Sequence, residues 1–160
     1  MELLVIRDRA SWPEACNAGF KKAKGDRLHF TADDLEPLPG WWQDALPWLD
    51  EHDELPAPVV MNPDGTWDNA VDGPDGGVPE FTRIPLMTRD QYERIGPWPE
   101  YNYVADVWLS LKARTLGIET RMIHSYRFTH HWKEVQAGRR DSPTDLAEAH
   151  GQLARLRAEL

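Results

Sequence analysis

Residues 17–42 read NAGFKKAKGDRLHFTADDLEPLPGWW. The spacing of apolar, glycine and acidic positions in this run predicts a helix, a short strand, a pair of carboxylates and a second helix. The first helix starts upstream: Ser11 followed by Glu14 makes a capping box, Pro13 occupies the first turn, and Gly25 follows lysines that suit the negative end of the helix dipole. Trp12, Cys16, Phe20 and Ala23 recur at helical spacing and give the helix one apolar face. Arg27 to Thr31 then alternates as a half-buried strand does and runs into Asp33 and Asp34. The acids thereby fall at the carboxyl end of a strand, the edge of an α/β sheet where ligands bind.

Two adjacent carboxylates on a turn are hard oxygen donors for Mg2+ or a similar ion, which takes one or two carboxylates and leaves positions for substrate phosphates. The same pair also serves as an ordinary cap of the turn and of the helix near Pro39. The neighbours separate these readings. Asn17-x-Gly19, Ala23-x-Gly25-Asp26, Asp33-Asp34 and Pro39-x-Trp41, in this order, resemble the middle of family 2 glycosyltransferases with the GT-A fold. In that family an N-x-G helix precedes a G-D strand ending in the DxD metal motif. Thr31 stands where many members carry the first Asp, so the motif here is the shorter x-D-D form. The resemblance implies Asn17 and Asp33 at the donor, Asp33 beside the nucleotide ribose or sugar, and Asp34 holding Mg2+ or Mn2+ on the diphosphate.

A second segment carries the same resemblance. Ile95-Gly96-Pro97-Trp98, Ala105-Asp106-Val107-Trp108 and Gly117 resemble the part of the family in which an acidic pair opens a helix closed by glycine. Asp106 matches the second acid, the acceptor base in inverting members, and Ala105 replaces the Glu before it. Read by itself, Asp106 is a carboxylate in a first helical turn, favoured by the helix dipole. A histidine near His130-His131-Trp132 completes the metal shell in many GT-A enzymes, and the sequence leaves the choice between His130 and His131 open.

At 160 residues, 41% hydrophobic and 28% charged, the chain has the length and composition of one folded domain. A net charge of −9 argues against a nucleic-acid or anionic-membrane surface. The single Cys16 cannot form an intrachain disulfide, and no run approaches the ~18 apolar residues of a membrane span. With no signal-peptide pattern at the N-terminus, the sequence predicts a cytoplasmic protein. Eight Trp residues suit a core, a partner surface or sugar stacking.

Along the rest of the chain, Glu2 to Ile6, Ala57 to Met61, Ile118 to Ile123 and Tyr126 to Thr129 read as strands. Trp41 to Leu49 reads as a helix that Pro47 kinks or shortens. Thr66 to Glu80 is an acidic, glycine-rich loop, and Thr88 with Gln91 makes a second capping box before Gly96-Pro97. Val104, Val107, Trp108 and Leu111 form the apolar stripe of the helix that follows. Ser142 to Asp145 starts a last helix, whose Leu146, Ala149, Leu153, Leu156 and Leu160 make a narrow apolar seam.

Together these predict an α/β domain over residues 1–132, a GT-A three-layer sandwich, with a C-terminal linker and amphipathic helix over residues 133–160. The resemblance implies transfer of a sugar from a nucleoside-diphosphate sugar to a glycan or other hydroxyl acceptor. It also implies that the β-α-β portion which normally precedes Glu2 and holds the base has no counterpart here. A second chain or a second copy completing the sheet is expected from that reading. The competing readings are a non-catalytic glycan-binding or assembly protein derived from a transferase, and a metal-dependent phosphate-ester hydrolase using the same acids.

Overall fold

The structure, a computed structural model, describes residues 2–7, 11–66, 82, 84–99 and 105–131, together with 151, 152, 154, 155 and 158. Helix α1 spans Trp12–Lys22, and Ser11 Oγ accepts the Glu14 N–H at its start (3.2 Å). The helix ends at an extended Ala23, so Gly25 is not its cap. The Arg89 guanidinium instead donates to the carbonyls of Ala23 and Gly25, satisfying oxygens that a helix terminus leaves bare.

Strand β1 (Arg27–His29) leads into the Asp33-Asp34 turn, and β2 (Leu35–Pro37) follows at once. Helix α2 (Trp42–Glu51) runs through Pro47 instead of ending there, and β3 covers Glu54–Met61. Then come β4 (Leu86–Thr88), α3 (Arg89–Ile95), α4 (Ala105–Thr115) and β5 (Glu119–His130). The capping box of α3 is complete: Thr88 Oγ1 accepts the Gln91 N–H, and Gln91 Oε1 accepts the Thr88 N–H.

Among the described residues β1 pairs antiparallel with β4, while β2, β5 and β3 form a three-stranded sheet. β5 runs parallel to β3 and antiparallel to β2. The two strands expected around residues 118–129 are one. It is interrupted where Pro58 faces Ile123 and the next residue, Val59, faces Arg127, so His124, Ser125 and Tyr126 form a bulge.

Successive residues of a strand point to opposite faces, and the core divides accordingly. Met87 joins Cys16, Phe20, Leu28 and Leu55 under α1, α3 and α4, whereas Leu86 joins Val60, Ile84, Tyr126 and Phe128 under α2. Helices therefore cover both sides of the strands, giving the three-layer α/β arrangement. The buried face of α4 is Ala105, Leu109, Ser110 and Ala113, rotated from the stripe expected at Val107, Trp108 and Leu111. Small residues line it because the helix approaches the core closely.

Residues 2–7 form no strand. Leu3 and Val5 are exposed, Ile6 packs over Gly19, and Glu2 accepts the Lys24 N–H (2.9 Å). An apolar run becomes a strand only beside a chain that supplies its hydrogen bonds, and each described strand pairs elsewhere. The loop expected over Thr66 to Glu80 lies, beyond Thr66, outside the described residues, as do the apolar positions of the C-terminal seam. No helix among the described residues is long and apolar enough to cross a membrane.

Candidate functional site

The acid pair sits where the chain passes from one sheet to the other. Leu35 N–H donates to Ala32 O (3.3 Å) and closes the turn, leaving Asp33 exposed and Asp34 partly buried. β2 then aligns Leu35 with His130 and Glu36 with Thr129. The ladder continues for one more rung, His131 N–H to Asp34 O (2.8 Å).

Beside this ladder the Asp34 carboxylate in the turn reaches the His130 ring, with Oδ2 3.3 Å from Nε2. Side chains 96 positions apart in sequence thus converge where β2 begins and β5 ends. His131 turns away: its Nε2 meets Glu36 Oε2 at 3.0 Å. Of the two histidines that the sequence left open, His130 contacts the Asp34 carboxylate and His131 the Glu36 carboxylate. Glu36 and the strand that carries it were not anticipated. A three-residue strand ending in Pro37 gives too short an alternation to read.

Asn17 lies on α1, and its amide is occupied by the loop after α3. Nδ2 donates to Trp98 O (2.8 Å) and Oδ1 accepts the Trp98 N–H (2.9 Å). Asp106 stands in the first turn of α4, where Oδ1 accepts the N–H of Val107 (2.8 Å). It belongs to the layer of α1 and α3, across the strands from the cluster around Tyr126.

A second constellation was missed by sequence reasoning. His29, at the end of β1, packs tilted against Trp41 (centroids 4.6 Å) and stacks on Phe128 (5.8 Å), and its Nε2 lies 2.8 Å from Tyr126 Oη. Tyr126 Oη also donates to Ile84 O (3.2 Å). Burial among these rings lowers the His29 pKa from 6.5 to about 4. Buried Tyr126 is pushed well above its ordinary value for the same reason. The signal in the sequence was alternation, Leu28 and Phe30 against His29, which reads equally well with His29 facing solvent.

The sequence profile described as Glycosyl transferase family 2 matches residues 4–115. The chain belongs to that family. A solved mannosyltransferase from Pyrobaculum calidifontis, in complex with GDP-Man and Mn2+, matches with a TM-score of 0.60 at 14% identity, over 93% of this chain and 50% of that one. At that identity the likeness concerns the fold, which is that of a GT-A transferase. The chain spans half the length of this relative. No curated protein matches it.

The family fold raises the question of a divalent ion. Asp34 and His130 supply one carboxylate and one imidazole at hydrogen-bonding distance, a donor set suited to Mn2+ or Mg2+. Among the described residues no group of three or more His, Cys, Asp or Glu converges as a metal cage. The residues therefore fit an ion shared with a ligand's phosphates and water, and do not fit a closed structural site.

Proposed function

We propose that this chain is a glycosyltransferase domain acting on a nucleoside-diphosphate sugar, with Asp34 and His130 as the protein donors to a divalent ion and Asp106 as the base of an inverting transfer. The observation that carries the reading is the convergence of Asp34 and His130, where β2 begins and β5 ends, in a chain of this family.

A divalent ion bound there would offset the charge that develops on the diphosphate leaving group. Asp33, exposed beside Asp34 in the turn, would meet the ribose or sugar. An acceptor hydroxyl oxygen attacks the anomeric carbon, the bond from that carbon to the diphosphate oxygen breaks, and the hydroxyl proton passes to the Asp106 carboxylate. Asn17 contributes by holding the Trp98 backbone, since both ends of its amide are engaged there.

Calorimetry with GDP and UDP, with and without Mn2+, tests the donor site. Binding that requires metal and disappears in Asp34→Asn supports it, while metal-independent nucleotide binding refutes it. Donor turnover in Asp106→Asn tests the base: lost turnover with donor binding preserved is expected.

One observation favours the second reading, a transferase relative that grips a glycan without turnover. Asp34 and His130 also satisfy each other as a hydrogen-bonded pair, an arrangement that needs no ion. Saturable glycan binding with neither metal nor nucleotide affinity would establish it.

A further inference from the structure

Among the described residues, three of the buried hydroxyls that the proposed site does not use are linked to one another: Thr82, Ser110 and Tyr126, of which 0%, 1% and 0% of the surface is exposed. A hydroxyl in a dry core is costly unless paired, so their partners indicate what they are for. Ser110 Oγ donates to Asp106 O (3.1 Å) and accepts the Thr82 N–H (3.0 Å). Thr82 Oγ1 donates to Ile84 O (3.2 Å), the carbonyl that also receives the Tyr126 proton. Tyr126 Oη in turn lies within hydrogen-bond distance of His29 Nε2 (2.8 Å).

These bonds form an unbroken chain from the first turn of α4 to the end of β1. It starts in the layer of α1, α3 and α4 and ends in the cluster on the other face of the strands. Its far end holds the strands that lead to the two metal donors: His29 lies five residues before Asp34, and Tyr126 four before His130. The β5 bulge belongs to the same device. Opposite the Pro58–Val59 step, three residues of β5 are looped out of the ladder, and Tyr126 is the one turned into the core.

We infer that Tyr126, Thr82 and Ser110 are positioning residues, a buried latch that sets the helix bearing Asp106 in register with the strands bearing Asp34 and His130. This deepens the transferase reading and rests on it for the role of Asp106. The latch itself is a mechanical claim that stands without turnover. Local opening of α4 should depend on a hydroxyl carried by β5, because Tyr126 and Thr82 converge on one carbonyl and Thr82 is bonded in turn to Ser110 of α4.

The test uses Tyr126→Phe and Ser110→Ala, with Ser110→Thr as the variant that keeps the hydroxyl. Hydrogen exchange should speed up in residues 105–111 of α4 in both of the first two, although Tyr126 is on β5, and should be restored in Ser110→Thr. Exchange at α4 that Tyr126→Phe leaves unchanged would overturn the latch. Where the protein turns over, both variants should lower kcat about tenfold to a hundredfold with the donor KM unmoved, since misplacement of a reacting group acts on the chemical step. The double variant should lose less than the two single losses combined, because both break one chain. Additive losses would show independent packing defects and refute the inference. Asp106→Asn measured alongside separates the two claims. If it abolishes turnover while the latch variants keep full kcat, the latch fails and the base stands. If it retains turnover while α4 exchange responds to Tyr126→Phe, the latch stands and the base fails.

Discussion

Asn17 and Trp98, 81 positions apart, are joined by two hydrogen bonds in which the Asn17 amide mimics a backbone partner, donating to Trp98 O and accepting the Trp98 N–H. The pair fixes the loop after α3 onto α1. It places Trp98 edge-on against Trp12 and tilted against Phe20, in the core that α4 also covers.

Asn17→Ala should therefore cost about 2 kcal/mol, the loss of two part-buried hydrogen bonds at about 1 kcal/mol each. Urea denaturation measures it. A variant of unchanged stability with a raised donor KM would mean that Asn17 works on the donor instead.

His29 makes stability depend on pH within a defined window. Its folded pKa of about 4 lies below the ordinary 6.5, so the unfolded chain binds the proton more readily. The stabilisation is complete above pH 6.5 and is lost as the pH falls toward 4. Asp50 and Asp53, held low chiefly by hydrogen bonds from Arg27 and Arg94, act only below this window, because their ordinary value is 3.8. Denaturation midpoints should thus fall between pH 6.5 and 4 in the native protein, and His29→Gln should flatten that slope. An equally steep slope in His29→Gln would exclude His29 as its source.

Gly96 has φ +88° and ψ 172°, a region that only glycine enters readily, and a Cβ there would meet nothing within 4 Å. Gly96→Ala should cost about 1–3 kcal/mol through backbone strain alone. Because Gly96 sets the approach to Trp98, its variant should also loosen the Asn17 contact, visible as faster exchange of the Trp98 N–H. A loss well under 1 kcal/mol would show that the loop adjusts.

Asp34→Asn should leave stability within about 1 kcal/mol of native, since a partly exposed carboxylate–histidine pair contributes little. The same change should remove the Mn2+-dependent part of nucleotide binding. Calorimetry and denaturation on one sample distinguish a ligand-binding acid from a structural cap. A large stability loss with metal dependence intact would identify the cap.

Local chemistry wrote much of this molecule legibly. Ser11 and the Thr88–Gln91 pair announce their helices because a cap is satisfied within three residues. The acid turn is equally local, and its residues together with those around Asp106 carried the family resemblance. Other features depended on partners distant in sequence, and no local pattern encodes those. The apolar run at Leu3 to Val5 reads as a strand yet pairs with none among the described residues. Helix α2 continues past Pro47, with Ala45 and Leu49 buried on either side of the proline. His130 meets Asp34 and His131 meets Glu36 only because β2 folds beside β5, and Asn17 meets Trp98 only because α1 and the loop after α3 share a core. The latch from His29 to Ser110 is the extreme case. Each of its groups is an ordinary polar residue in its own segment, and burial, which tertiary structure alone imposes, obliges them to find one another.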